Sequence, residues 1–204
     1  MEYMLLRLTE DNCEELIARG VSLLEQGGVI AYPTETFYGL GARYDNVQAL
    51  ERIFTIKRRP KEKTMPLIIG NVEQLSLLTT AVTDTARQLM ERFWPGPLTI
   101  LFTARPGLSE YIVAGGKVAV RVPGESFALQ LARAASFPFT ATSANPSSLP
   151  PATTAAAVAD YFDAAVDLIV DDGETESKLP STIVDATGTS PVVLREGALD
   201  IFRY

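Results

Sequence analysis

The sequence predicts an α/β fold in a single domain, and three observations predict it. Apolar runs of strand length alternate with runs that repeat at helical spacing along the 204 residues. Hydrophobic residues make up 47% of the chain, enough for one sizeable core. The two polar loops, 145–154 and 171–180, do not separate halves of different composition, so residues 1–204 read as one domain.

The elements follow in order. Asp11 or Asn12 can cap a first helix that runs to Gln26 and stops at Gly27-Gly28. Residues 29–32 are an apolar strand, ended by Pro33, which has no N–H for a ladder. Val47, Leu50, Ile53 and Phe54 form one stripe, which predicts a helix over 46–57. A short strand is expected at 66–69. Ala86, Leu89, Met90 and Phe93 mark a helix over 83–93. Strands are expected at 98–103 and 117–122. A helix over 126–135 opens on the hydroxyl of Ser126. The rest reads as strand 139–142, helix 154–162 and strands 168–170, 181–185 and 191–194.

Composition excludes several chemistries. The chain has no histidine and one cysteine, Cys13. Histidine-dependent nucleophilic triads, His-ligated zinc and an internal disulfide are therefore out of reach. The lone cysteine fits a reducing cytoplasm. No apolar run is long enough to span a bilayer, and Met1 to Arg7 lack the pattern of a secretory leader. A net charge of -7 argues against a general nucleic-acid binder. Yet Lys57, Arg58, Arg59, Lys61 and Lys63 crowd together, as a local site for a small anion would. The other reading is a solvated helix end, whose cations complement the macrodipole.

Five strings carry chemistry. In Tyr32 to Gly41, the hydroxyls of Thr34 and Thr36 flank Glu35, and Gly39 and Gly41 allow a tight turn or close approach to a ligand. A strand opening into such residues is one way to build a site at a sheet's end. Lys57 and Arg59 precede Pro60, which disfavours helix at Arg59. The helix should unwind there, so that both cations point the same way from an extended segment, suited to phosphate. Arg121 is the one charge within an apolar strand end, on the face opposite Val118, Val120 and Val122. It is either a clamp for a ligand carboxylate or half of a structural ion pair. Thr140, Thr142, Ser143 and Asn145 offer small donors and acceptors at a strand exit, or else satisfy their own turn. Ser181 and Arg195 are polar at the ends of the last strands. Trp94-Pro95-Gly96-Pro97 reads as a rigid structural turn. Neither common phosphate loop is present: G-x-x-x-x-G-K-[ST] is missing, and Tyr44 stands where a third glycine would complete Gly39-Leu40-Gly41.

Taken in order, the strings at 32–41, 57–60, 94–99, 118–121, 142–145 and 181–185 resemble the YrdC-domain family of threonylcarbamoyl-AMP synthases. The resemblance runs from about Gly27 to Arg195. It implies a twisted mixed β-sheet flanked by helices, with a concave basic pocket. It implies ATP contacts from Lys57, Arg59, Ser143, Asn145 and Arg195, with Lys57 and Arg59 as the charge-stabilising catalytic pair. It implies L-threonine contacts from Thr34, Arg121, Thr140, Ala141 and Ser181. No metal-ligating protein residue is implied; Mg²⁺ is expected with ATP, on its phosphates. The chain departs from the family pattern at Arg58, Gly70, Gly124, Pro151, Asp172 and Ser177. With its end near Tyr204, the chain is expected by that resemblance to be the short, single-domain form.

The expected activity is synthesis of threonylcarbamoyl-adenylate and pyrophosphate from L-threonine, bicarbonate or CO2, and ATP. The adenylate would serve threonylcarbamoyladenosine formation in tRNA through partner proteins, in the cytoplasm, with weak or no direct tRNA binding and no membrane attachment. The alternatives are a relative that hydrolyses the adenylate, and a non-enzymatic RNA-binding module.

Overall fold

The computed structural model describes residues 4–60, 62–175 and 179–203. Its elements, in chain order, are β1 (Met4–Arg7), α1 (Cys13–Glu25), β2 (Ile30–Tyr32), β3 (Gly39–Gly41), α2 (Val47–Lys57), β4 (Leu67–Ile68), α3 (Asp84–Phe93), β5 (Leu98–Thr103), β6 (Val113–Ala114) and β7 (Lys117–Arg121). Then come α4 (Phe127–Ala134), β8 (Phe139–Thr140), β9 (Thr142–Ser143), α5 (Ala155–Phe162), β10 (Leu168–Asp171), β11 (Thr182–Asp185) and β12 (Val192–Arg195). The helix starts follow from side-chain chemistry. Asn46, Thr83, Ser126 and Thr154 each accept a hydrogen bond from the backbone N–H three residues on. Such caps satisfy donors that the first helical turn leaves unpaired.

Two mixed sheets result. The first has the order β1-β10-β2-β3-β9, with β1, β10 and β2 parallel and the β2–β3 and β3–β9 pairs antiparallel. The second has the order β12-β11-β5-β7-β4-β8, with β6 also paired to β7. Its β11–β5 and β4–β7 pairs are parallel, and its other pairs are antiparallel. The larger core cluster joins α2, α3 and α5 to strands of both sheets, through residues such as Leu40, Leu50, Ile53, Ile100, Val120 and Val158. A second cluster packs α1 and α4 against Ile30, Tyr32, Ile68 and Phe139.

The sheets meet where one strand was expected. Residues 139–142 form two short strands rather than one: β8 pairs with β4 in the second sheet, and β9 with β3 in the first. Ala141 is the switch between them, its N–H bonded to Pro66 O at 2.9 Å. The sequence pattern hides this break, because every residue from 139 to 142 suits an extended backbone.

Of the two roles expected for the glycines of β3, the tight turn is not found, while Gly39 lines the cavity described below. Gly39 and Gly41 lie in a regular strand and do not turn. A Cβ on Gly41 would stand 2.9 Å from the Tyr32 ring, so the close approach is to a buried aromatic of β2. Gly70 has a comparable reason: a Cβ there would lie 2.2 Å from Ala132 O, at the end of α4. No larger side chain fits without moving backbone. Lys61 and Ser177, named in the sequence reading, lie outside the described residues.

Candidate active site

A cavity of about 640 Å³ opens at the junction of the two sheets. Its walls come from the segment after β2 and from β3 and β9 of the first sheet, and from β4, β5, β7, β11 and β12 of the second. Arg59, Arg121 and Arg195 line it, together with the hydroxyl residues Thr34, Thr36, Thr64, Thr99, Thr142, Ser143 and Ser181. The described residues that line it include no carboxylate. Such a lining suits an anion, or two anions side by side.

Arg121 ends β7, with its side chain 7% exposed. Its Nη1 lies 3.1 Å from Glu35 Oε1, and the Glu35 side chain as a whole is 18% exposed. The contact is off the hydrogen-bond axis, so Nη1 and both Glu35 oxygens are buried without a hydrogen bond. Arg121 is therefore half of an ion pair, one of the two roles weighed from the sequence, and it also lines the cavity. Glu35 stands beside the cavity rather than in its lining. Thr34 fixes the approach to Glu35 by an internal turn. Its Oγ1 donates to Phe37 O at 2.7 Å and accepts from the N–H groups of Thr36 and Phe37.

The segment after α2 is not extended. Lys57 is the last helical residue, and Arg58 turns left-handed at φ 49°. The Arg59 N–H then returns to Phe54 O at 2.9 Å, which closes the helix end. This turn sends the two cations apart. Lys57 is 1% exposed, and its ammonium donates to the backbone oxygens of Ser143 and, at 2.6 Å, Asn145. The Ser147 N–H answers by donating to Lys57 O at 2.8 Å. Burial, and then the charge of Arg59, pulls the ammonium down to about 7. Arg59 does reach the cavity. It is held by donation to Lys63 O, Thr64 O and Thr142 Oγ1. Burial holds its guanidinium below the usual arginine range.

Asn145 serves its own loop. Its Oδ1 accepts from Ser143 Oγ at 2.6 Å, and its Nδ2 donates to Pro146 O and Leu149 O. Across the cavity, Arg195 donates to Ser181 O at 2.6 Å and Ser181 Oγ at 3.0 Å, and Ser181 Oγ meets Thr99 Oγ1 at 3.0 Å. Burial, and then the Arg121 charge, lowers the Arg195 pKa. Two cations that already oppose each other across a space favour an anion between them.

With that geometry in view, the relatives are informative. The sequence profile of the Sua5/YciO/YrdC family, described as "Telomere recombination", matches residues 22–197. The chain belongs to the Sua5/YciO/YrdC family. It is 39% identical over 179 residues to a threonylcarbamoyl-AMP synthase of Pyrococcus abyssi, covering 87% of this chain and 53% of that protein. It is 40% identical over 185 residues to a threonylcarbamoyl-AMP synthase of Bacillus subtilis, covering 90% of this chain and 54% of that one. The chain thus spans about half the length of the curated relatives it matches. A crystal structure of Pyrococcus abyssi Sua5 complexed with L-threonine superposes with a TM-score of 0.89 at 36% identity, over 98% of this chain and 58% of that one.

Within this Sua5/YciO/YrdC fold, the residues expected from sequence divide into two groups. Thr34, Arg59, Arg121, Ala141, Ser143, Ser181 and Arg195 come together around one cavity. Lys57, Thr140 and Asn145 sit behind its wall. Thr140 is 0% exposed; its Oγ1 donates to Leu40 O and accepts from the Ala42 N–H. Its carbonyl accepts from Tyr32 OH at 2.7 Å, and burial raises the pKa of that phenol. Thr64, Thr99 and Tyr38 line the cavity and were missed, while Thr36 and Glu35 were singled out in the 32–41 string but given no individual role. Glu35 carried a signal: it is a carboxylate between two hydroxyls just past a buried strand. Tyr38 carried none, since its hydroxyl turns away to donate to Gly173 O at 2.7 Å. Burial pushes that phenol up to about 12.

Proposed function

We propose that this protein is a threonylcarbamoyl-AMP synthase. It would join L-threonine, bicarbonate or CO2, and ATP into threonylcarbamoyl-adenylate and pyrophosphate. The single observation that carries this reading is the cavity at the sheet junction. Three guanidiniums line it, together with small hydroxyls and no carboxylate, in a fold that matches the L-threonine-complexed Sua5. Such a lining can take a carboxylate and a polyphosphate at once.

We assign the roles from the family resemblance, and the cavity lining supports them. Arg121 has hydrogen-bond capacity that no described residue uses, and its fork suits a planar carboxylate. Thr34, Ala141 and Ser181 complete that end. Arg59, Ser143 and Arg195 take the nucleotide phosphates. Lys57 and Asn145 act from behind, by fixing the loop that carries Ser143. Within this frame the threonine amine takes up CO2 as a carbamate. A carbamate oxygen attacks the α-phosphorus, and the α–β bridging bond breaks to release pyrophosphate. What the protein supplies is alignment and charge neutralisation, the main contributions in such transfers. No group of three or more Asp, Glu, Cys or His that could hold a metal occurs among the described residues. By the family resemblance Mg²⁺ would accompany ATP on its phosphates, and we assign it no step. The adenylate would pass to partner proteins for threonylcarbamoyladenosine formation in tRNA. No helix among the described residues is long and apolar enough to cross a membrane.

Pyrophosphate release, followed with each substrate omitted in turn, tests the reading. Release should need ATP, L-threonine and bicarbonate together, and mass spectrometry should find the threonylcarbamoyl-adenylate. Equal release without threonine would remove the assignment. Conversion of added adenylate to AMP, with no synthesis, would favour the hydrolytic alternative.

A further inference from the structure

The three cavity arginines are not alike. Arg59 and Arg195 donate only to backbone oxygens and hydroxyls among the described residues. Arg121 has a carboxylate against it, Glu35 at 3.1 Å. Arg121 lines the cavity and Glu35 does not, so the carboxylate is paired to the cavity through the arginine it touches. Both Glu35 oxygens are buried and hydrogen-bonded to nothing described. The carboxylate therefore acts on Arg121 through its charge. Its seat depends on Gly124, where a Cβ would come within 3.3 Å of Glu35 Cγ.

We propose that Glu35 is a specificity-determining residue: it neutralises Arg121, so that this end of the cavity takes a monocarboxylate and refuses phosphate. This inference rests on the functional reading above and deepens it. Repulsion from Glu35 grows with the charge a ligand carries. A singly charged carboxylate meets the least of it and still engages the planar fork with two oxygens. A pyrophosphate or triphosphate meets several times more. Arg59 and Arg195 exert no such penalty, so the polyanion is sorted to them. A site that must hold two anions of different charge then fills in one orientation, and discrimination comes from a repulsive element as well as an attractive one.

The test is calorimetric titration of the whole chain with inorganic pyrophosphate, comparing wild type, Glu35→Gln and Glu35→Gln/Arg121→Met. Glu35→Gln should bind pyrophosphate at least about tenfold more tightly than wild type, a change of about 1.4 kcal/mol. The double variant should lose that gain. Glu35→Asp withdraws the charge by one methylene and should show a smaller gain, which keeps the test decisive if the Gln variant does not fold. Unchanged pyrophosphate affinity in whichever of the two folds, or a gain that survives loss of Arg121, would overturn the proposal. L-threonine binding by wild type is scored separately. Its absence would remove the substrate reading, while the pyrophosphate titrations would still decide the role of Glu35.

Discussion

At the scale of single residues, Arg121 separates two effects that one substitution alone would mix. Arg121→Lys keeps a cation against Glu35, so the free protein should melt close to wild type. It loses the bidentate fork, so L-threonine should cease to raise its melting temperature. Arg121→Ala leaves Glu35 buried without a counter-charge and should cost about 3–5 kcal/mol of stability before any ligand is added. Thermal melts of both variants, with and without L-threonine, check this. Lys57 makes a pH-dependent prediction. Its folded pKa falls from 10.5 to about 7, so between those values the unfolded chain binds the additional proton. Stability from this position is therefore lowest below pH 7 and rises as pH climbs toward 10.5. Urea unfolding at pH 6 and pH 9 should show wild type gaining about 1–3 kcal/mol relative to Lys57→Met. A flat difference would mean that the ammonium stays charged throughout. The sequence motifs foretold three arginines and the hydroxyls of Thr34, Ser143 and Ser181 at the cavity, but not Thr64 or Thr99. They could not foretell which cation turns inward, because one left-handed residue, Arg58, decides that, and arginine gives no warning of a positive φ.

At the scale of elements, that turn supplies a direct test. Glycine adopts the left-handed conformation without steric strain, whereas other residues incur about 1–2 kcal/mol. After glycine's larger unfolded-state entropy is deducted, Arg58→Gly should stabilise the protein by a few tenths to about 1 kcal/mol. Denaturant midpoints measure it, and a loss of stability would show that the Arg58 side chain holds something in place. The helices were the most legible elements, because a 3.6-residue stripe and a capping hydroxyl are both local signals. The long strand β5 (Leu98–Thr103) was equally plain, with six consecutive extended residues. The short strands were not. β3 is Gly-Leu-Gly and has the composition of a turn; the Tyr32 ring against both glycines, with Ile30 and Phe139 beside Gly41, accounts for them. β1 alternates half-buried and exposed residues, and its pairing partner β10 lies more than 150 positions further along the chain. The break at Ala141 depends in the same way on where β4 and β3 lie, which no local pattern encodes.

At the scale of the whole molecule, a chain of net charge -7 concentrates three arginines in one cavity. Affinity for a non-hydrolysable ATP analogue should therefore fall as salt rises from 0.05 to 0.5 M, by about tenfold, as screening shortens to a few ångströms. Salt-independent binding would place the polyanion away from these arginines. The meeting of the two sheets over residues 139–143 has a further consequence, for cooperativity. β9 and β12 belong to different sheets, yet each gives a residue to the same cavity wall: Ser143 from one, Arg195 from the other. A ligand between them is an additional tie across that seam, and an opening that parts the sheets must first release it. In amide exchange, the free protein should open its two sheets with different protection, β12 exchanging early as a largely exposed edge strand. With ATP and L-threonine present, protection should rise in β9 and β12 together, joining two local unfolding units into one.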